Sequence, residues 1–385
     1  MKGKLLSVAA IALLHLGSAK PLEKDAQLLH KRNDLAAVST VSGIVTVTAP
    51  AAVVYNDANG QPVTTSYVAP LGASSVSQQI ARSSLAHGPS SSSSAGSPDS
   101  GSGNSSNPNC AGSIDGYGIA YTPKHADQSF KSQSEVNADF DTFTKTEKYK
   151  LVRLYGSDGQ QTAKAIKAAK RHPGMKVMAA VFDIKQVSTE VKRIISDVDG
   201  DWDMIHTVDV GNELINKKQA TVNQVAAAVQ TAREMLKKAG YDGCVITIDV
   251  FETFFQEKYR HLCDVSDYVA ANAHGYFAGT FGANGDGNWL RGIRDQVSRA
   301  CGGKPVTITE TGWPTEGNAK NLAKSGTGAQ QDALSSIKGK FPDGDVVFFE
   351  FGDDKWKANQ DNPLNIEQHY GMYGKGYNPL IASDT

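Results

Sequence analysis

Residues 204–213 read Met-Ile-His-Thr-Val-Asp-Val-Gly-Asn-Glu. The apolar, β-branched start of this stretch is typical of a strand that is covered on both faces, as in a parallel sheet. Because helix-like segments separate such runs, the pattern predicts parallel strands joined by helices. Seven further runs of the same kind are found at residues 116–121, 151–155, 176–182, 244–249, 268–274, 305–309 and 346–351.

The segments between the strands determine which fold the sheet adopts. Apolar residues recur at helical spacing in segments 160–170, 221–239, 289–300 and 327–338. Thr221 is suited to cap the second helix, and Gly240 follows its end. Eight strand–helix units predict an α/β fold, a (β/α)8 TIM barrel, which needs about 250 residues. A doubly wound sheet is the alternative, but residues 120–123 after the first strand, Ala-Tyr-Thr-Pro, lack its Gly-rich phosphate loop.

Two glutamates follow predicted strands. Glu213 comes directly after the fourth and Glu310 after the seventh, where barrel enzymes place their active sites. Cleavage of a glycosidic bond needs two carboxyl groups: one protonates the leaving oxygen, and the other attacks C1 or activates water. Either Glu alone is more simply a capping or salt-bridged residue. The two together indicate a catalytic pair.

Other side chains at the same strand ends suit a neutral sugar, because aromatic rings stack on pyranose faces and polar groups bind hydroxyls. Asn212 is a candidate for contacting a sugar 2-hydroxyl. A structural role for His274 and a plain rim ion pair between Asp354 and Lys357 are the alternatives for those residues. No metal site and no cofactor are predicted, since two carboxylates suffice for the chemistry. The further substrate-binding candidates are Tyr155, His274, Tyr276, Trp313, Asp354, Trp356 and Lys357.

Several motifs resemble glycoside hydrolase family 17. They are Val-Gly-Asn-Glu at 210–213, Thr-Glu-Thr-Gly-Trp-Pro at 309–314 and Arg-Leu-Tyr-Gly at 153–156. Residues 349–357, Phe-Glu-Phe-Gly-Asp-Asp-Lys-Trp-Lys, look like its fungal cell-wall branch, and the resemblance covers about residues 114–378.

The resemblance implies a retaining β-1,3-glucan hydrolase, or a glucanosyltransferase with the same residues. Glu213 then matches the general acid/base and Glu310 the nucleophile, with carboxyls about 5–5.5 Å apart. The partner would be a β-glucan polysaccharide or oligosaccharide. Two alternatives are the same barrel acting on xylan or mannan, and a wall mannoprotein with a mainly adhesive or structural role.

The chain ahead of the barrel has the composition of processed and low-complexity segments. Residues 1–19 are predicted to be a signal peptide, and residues 20–32 a pro-segment that ends in a dibasic Lys31-Arg32 site. Residues 33–82 form a Val/Thr/Ala-rich arm, interpreted as extended or glycosylated. Residues 83–109 contain twelve Ser and the sequon at Asn104, which indicate a flexible, glycosylated linker to the barrel domain at 110–385.

Composition excludes some classes of protein. The 385 residues include 39 Lys plus Arg and 40 Asp plus Glu, so a nucleic-acid partner is not expected. No apolar run is long enough to span a bilayer, and the C-terminus has no apolar tail for a lipid anchor. The expectation is a secreted, cell-wall monomer. Of four Cys, Cys263 and Cys301 are predicted to pair, and a free buried thiol is the plain alternative for Cys244.

Overall fold

The computed structural model describes the backbone of residues 37–41, 44–48, 51–56 and 62–68, and then residues 110, 112–146, 149–357 and 363–373. The chain divides into two compact units, residues 1–97 and 98–385. In the first unit, strand β1 (Ala37–Val41) pairs antiparallel with β2 (Ile44–Thr48), and β3 (Ala51–Asn56) pairs antiparallel with β4 (Pro62–Val68). The predicted signal peptide, pro-segment and Ser-rich linker with Asn104 lie outside the described residues.

The second unit is a closed barrel of eight parallel strands, which confirms the predicted TIM barrel. Each strand pairs with the next along the chain, and the eighth pairs with the first. The strands are β5 (Gly116–Ala120), β6 (Tyr149–Arg153), β7 (Lys176–Val181), β8 (Ile205–Asn212), β9 (Cys244–Val250), β10 (Val269–Asn272), β11 (Val306–Thr311) and β12 (Gly344–Phe348).

Helices follow the strands and cover the outside of the barrel. None of the helices within the described residues is long and apolar enough to cross a membrane. The helices are α1 (Gln133–Thr146), α2 (Gln161–Ala169), α3 (Val187–Val198), α4 (Val222–Lys238), α5 (Phe251–Phe255), α6 (His261–Val265), α7 (Gly275–Ala278), α8 (Asp286–Ala300) and α9 (Thr327–Lys340).

Two apolar layers stabilise this unit, because side chains alternate between the two faces of each strand. On β6, for example, Leu151 belongs to the inner cluster, and Val152 packs in the outer layer against the helices. The inner face ends in Arg153, which is fully buried. The inner layer is therefore apolar through most of the barrel and becomes polar at the carboxyl ends of the strands.

The strand positions are close to those predicted, with local differences. Strand β6 ends at Arg153 and β12 at Phe348, so Tyr155 and Glu350 lie beyond their strands rather than inside them. The predicted cap at Thr221 is present as a capping box with Gln224. Helices α1 and α3 and the short helices α5, α6 and α7 were not predicted. In α3, β-branched residues favour a strand by propensity, but burial at 191, 194 and 198 follows helical spacing.

Both disulfides lie within the described residues. Cys263 pairs with Cys301, as predicted. Cys244, at the start of β9, pairs with Cys110 rather than remaining a free thiol, so that alternative is wrong. The reason is spatial, since the segment that precedes β5 brings Cys110 to within 5.6 Å of Cys244, Cα to Cα.

Candidate active site

Arg153 is the centre of the polar network at the mouth of the barrel. Its side chain is fully buried, and Nη1 donates to Glu310 Oε1 at 2.8 Å and to the Thr309 carbonyl at 2.8 Å. Nη1 also lies 3.3 Å from Asn272 Oδ1, and Nη2 donates to Asn212 Oδ1 at 3.0 Å. From the sequence, Arg153 is visible only as part of the Arg-Leu-Tyr-Gly motif. An inward-facing charged residue at a strand end is the signal that identifies it.

Glu310 is a buried carboxylate with hydrogen-bond donors around both of its oxygens. Its Oε1 accepts from Arg153 and from the Tyr155 hydroxyl, the latter at 2.9 Å, and His274 Nε2 lies 3.4 Å from Oε2. Burial alone would raise the pKa of Glu310, but Arg153, His274 and Tyr155 together lower it to about 2. Glu310 is therefore ionised at any physiological pH, which a nucleophile requires.

Asn272 joins the two glutamates. Its Oδ1 accepts from Thr309 Oγ1 at 2.9 Å and from Arg153, so its amide nitrogen must point the other way. That nitrogen donates to Glu213 Oε1 at 2.9 Å and to Asn212 Oδ1 at 3.0 Å. Asn272 is not among the residues predicted from the sequence. It occupies the inner face of β10, where a buried amide is unusual and marks a site.

Glu213 lies in a tight turn at the end of β8. Its φ is +59°, and that of Gly211 is +82°, both in the left-handed region that is costly for a residue with a side chain. At Gly211 a Cβ would come within 2.6 Å of the Leu214 side chain, so glycine is required there. The turn directs the Glu213 carboxyl to Asn272 on one side, while Lys217 Nζ lies 3.1 Å from Oε2 on the other.

The atoms left free by this network define what it can do chemically. Glu310 Oε1 is occupied by two close donors, so Oε2 has the lone pair available for attack on a carbon. Asn212 accepts two hydrogen bonds at Oδ1, so its amide nitrogen faces away from Arg153 and Asn272 and can donate to a hydroxyl. One anchored, ionised carboxylate and a second carboxyl that contacts the Asn272 amide and the half-exposed Lys217 suit nucleophilic and acid/base roles.

Trp313 and Tyr276 are not brought to the open surface. Both side chains are fully buried, and their rings pack edge to face with centroids 5.1 Å apart. Trp313 Nε1 donates to the Lys324 carbonyl, and the Tyr276 hydroxyl donates to the Asn318 carbonyl. In this position the two rings support the loop after β11, and their predicted contact with substrate stays a prediction.

Asp354, Lys357 and Glu350 form a second charged group beside the first. Lys357 Nζ lies 3.0 Å from Asp354 Oδ2 and 3.8 Å from Glu350 Oε1. Burial raises the pKa of Glu350 well above its ordinary value, despite the opposing charge of Lys357. Burial alone would lower the pKa of Lys357, but Glu350 and Asp354 raise it. The pair predicted from the sequence is thus largely buried and has a third member.

Phe349 connects this group with the first network. Its ring packs edge to face on His274 at 5.4 Å and on Tyr155 at 6.4 Å, and Lys357 Nζ lies 4.8 Å from its centroid. Trp356 is half-buried on the outer side, with its ring 5.5 Å from Lys357 Nζ. Phe349 thus lies between Lys357 on one side and the Glu310 partners Tyr155 and His274 on the other.

Two comparisons with protein sequences identify relatives. Residues 118–371 match a family described as the BtgE/BtgC glycoside hydrolase domain. The chain is 37% identical over 265 residues to the cell surface mannoprotein MP65 of Candida albicans, across 68% of each chain. It is 37% identical over 258 residues to SCW4 of Saccharomyces cerevisiae, named a probable family 17 glucosidase. That match covers 66% of this chain and 64% of SCW4, just under two thirds of its length.

A solved structure has the same fold. An active-site mutant of Rhizomucor miehei β-1,3-glucanosyltransferase in complex with laminaritriose matches with a TM-score of 0.58 and 22% identity. The match covers 70% of this chain and 98% of that one, and at this identity it shows the fold alone. The family and sequence matches go further: this chain belongs to the BtgE/BtgC glycoside hydrolase family, which confirms its resemblance to family 17 and the fungal cell-wall branch.

Proposed function

We propose that the protein is a retaining β-glycosidase of the fungal cell wall that cleaves mainly β-1,3-glucan, with Glu310 as nucleophile and Glu213 as acid/base. The observation that carries the proposal is the network in which Arg153 and Asn272 link the two carboxyl groups. The names of relatives support the substrate, since SCW4 is named a probable family 17 glucosidase and the active-site mutant of the R. miehei enzyme is in complex with laminaritriose.

The first half of the reaction forms a glycosyl-enzyme. Glu310 Oε2 attacks the anomeric carbon while the glycosidic C–O bond breaks, and Glu213 gives its proton to the leaving oxygen. The Asn212 amide donates to the sugar 2-hydroxyl, a contact that strengthens in the transition state. Arg153 and Tyr155 hold Oε1, so the carboxylate cannot rotate away during the attack.

The second half of the reaction breaks the bond between the sugar and Glu310 in the glycosyl-enzyme. Glu213, now ionised, takes a proton from the incoming hydroxyl, whose oxygen attacks C1 as the bond to Glu310 Oε2 breaks. If the hydroxyl belongs to water, the outcome is hydrolysis. If it belongs to another glucan chain, the outcome is transglycosylation with the same two residues. The protein would carry out both reactions, with hydrolysis as the main one.

The expected setting is the cell surface. MP65 is named a cell surface mannoprotein, and the N-terminal sequence has the pattern of a signal peptide followed by a dibasic site. The Ser-rich linker would then carry glycans outside the cell. The same name favours a second candidate, a wall mannoprotein that acts by adhesion and has little catalysis.

Product sizes test the function. The full-length protein is incubated with reduced laminari-oligosaccharides, and the products are separated by size over time. Products shorter than the substrate indicate hydrolysis, and products longer than the substrate indicate glucanosyl transfer. If every β-1,3-linked chain stays intact while the protein is folded, the proposal is wrong and the adhesive candidate or another polysaccharide takes its place.

Tyr155→Phe is expected to move the acid limb of the pH–rate profile to higher pH. The Tyr155 hydroxyl helps to hold the pKa of Glu310 at about 2, and the nucleophile must be ionised to attack. Burial and the Glu310 charge raise the pKa of Tyr155 itself, so it stays a donor throughout. Losing one hydrogen bond to a charged group shifts the limb by up to about one pH unit.

The measurement is kcat/KM from about pH 2 to about pH 6 for Tyr155→Phe and for the unsubstituted protein. Tyr117→Phe is the matched control, since its hydroxyl donates to the Phe341 carbonyl at the opposite end of the barrel. An unchanged acid limb in Tyr155→Phe, with kcat/KM lowered equally at every pH, would show that Tyr155 does not act through the ionisation of Glu310.

A further inference from the structure

The exposed large apolar side chains of the described residues all lie at the same end of the barrel, where the strands have their carboxyl ends. Single exposed apolar residues are ordinary on a protein surface, and they normally scatter. Here each one lies in a segment that follows a barrel strand, on the same side as the two glutamates. They are Phe182 after β7 (68% exposed), Phe255 in α5 after β9 (36%), Phe277 in α7 after β10 (39%) and Leu322 after β11 (63%).

The direction of the Phe182 side chain follows from the strand that precedes it. On β7, Met178 belongs to the inner cluster, whereas Ala179 and Val181 pack in the outer layer. The strand ends at Val181, and the same alternation continued by one residue would turn Phe182 to the inner side, which beyond the end of the strand is the open mouth. Val181 pairs with Val210, so Phe182 lies level with the end of β8, which leads to Glu213.

The backbone of Phe182 is firmly held. Glu190 is 6% exposed, and its carboxylate accepts from the Phe182 and Asp183 N–H groups, each at 2.9 Å. The same carboxylate accepts from Ser157 Oγ at 3.0 Å and so joins the loop after β7 to the loop after β6. A buried carboxylate thus fixes the backbone that carries an exposed ring, an arrangement that lowers the entropy cost of ordering this loop when a ligand binds against it.

The neighbours of Phe182 place this ring beside the reacting groups. A Cβ on Gly156 would lie 3.5 Å from Phe182 Cβ, so the two loops are in contact. Gly156 directly follows Tyr155, whose hydroxyl donates to the nucleophile. Adjacent parallel strands are about 4.8 Å apart, which is close to the width of one sugar ring. A ligand that rests on Phe182 is therefore next to the cleaved sugar, not in its place.

We propose that Phe182 is a stacking platform for a glucosyl unit next to the one that is cleaved, and so helps to set the chain length that the enzyme prefers. The inference rests on the proposed function. The ring would cover the apolar face of a pyranose, while the sugar hydroxyls keep their contact with water at the open mouth. No covalent step involves Phe182.

The test compares Phe182→Ala, Phe182→Leu and Phe182→Trp in the full-length protein. Lys192→Ala, on the exposed side of α3, is the control. For each protein kcat/KM is measured on reduced laminari-oligosaccharides of increasing length. Phe182→Ala is expected to lose about tenfold or more on long chains and little on the shortest chain cleaved. Phe182→Leu should lose activity in the same direction, and Phe182→Trp should keep the length preference.

The outcomes separate this inference from the function on which it rests. If the unsubstituted protein cleaves none of the chains, the proposed function fails. If it cleaves them and Phe182→Ala shows the same ratio of long-chain to short-chain kcat/KM, only the platform is refuted. Equal retention of the length preference by Phe182→Leu would also refute it, because leucine has no ring to stack. Since Phe182 is 68% exposed, all three variants should fold, and their melting temperatures check this.

Discussion

Glu310→Ala is expected to lower kcat/KM by at least about 10³-fold, and added azide should restore turnover with an α-glycosyl azide as product. Without Glu310, no group attacks C1. Azide is small enough to occupy the vacated space, and its charge would pair with Arg153, which otherwise stays buried without its carboxylate. Azide would attack from the face opposite the leaving group, so a β-linked substrate gives an α-linked product.

Glu213→Ala is the matched variant, because it removes the other carboxyl of the pair. Glu310 would still form the glycosyl-enzyme with an activated substrate that needs no protonation. Azide then attacks that intermediate in place of water, and two inversions give a β-glycosyl azide. The anomeric configuration of each azide, measured by NMR, assigns the roles. The opposite pairing of variants and products would show that the two glutamates are interchanged.

Arg153→Met is expected to lower the free energy of unfolding by about 3–5 kcal/mol and to remove nearly all activity. The substitution leaves Glu310 buried without its cation, and it removes the donors to Asn212 and to the Thr309 carbonyl. Burial then raises the pKa of Glu310 without the opposing charge of Arg153, so less of the nucleophile is ionised. Arg153→Lys keeps a charge, but its single nitrogen cannot take the place of both Nη1 and Nη2, so it should recover only part of either loss.

Arg233 provides a control of the same chemistry at the other end of the barrel. Its Nη1 lies 2.9 and 2.7 Å from the two carboxylate oxygens of buried Asp267, and Nη2 donates to the Val245 and Val265 carbonyls. Arg233→Met should therefore lose similar stability and keep kcat/KM well below its melting temperature. Denaturant unfolding and kinetics on both variants give the comparison. Activity retained by Arg153→Met would mean that the network is only structural.

Local patterns in the sequence were enough to predict the barrel and the placement of two glutamates at its mouth. The strands are continuous apolar runs because both faces of each strand are buried. Glu213 and Glu310 stand out because a charged residue directly after such a run is placed at the mouth. The local cap at Thr221 was equally visible, since its partner Gln224 is three residues away.

The rest of the site depends on contacts between distant parts of the chain. Arg153 and Glu310 are 157 residues apart, and nothing near Arg153 in the sequence indicates that partner. Trp313 and Tyr276 are residue types that commonly stack on sugars at an open surface. In the fold both side chains are buried and donate hydrogen bonds to carbonyl groups of the loop after β11. Phe182 lies within a strand predicted from the sequence, and only its exposure in the fold identifies it as a candidate for contacting a ligand.

The most direct test of the central claim is to trap the covalent intermediate on the unsubstituted protein. In a β-laminaribiosyl fluoride with a second fluorine at the sugar 2-position, the 2-fluorine slows both steps, because it destabilises the oxocarbenium-like transition state and removes the 2-hydroxyl contact. The anomeric fluoride is a good leaving group and keeps the first step fast enough for the glycosyl-enzyme to accumulate. Intact mass followed by peptide mapping should show one fluoroglycosyl group, attached to Glu310. A label on another residue, or consumption of the reagent without any label, would contradict the assignment of Glu310 as the nucleophile.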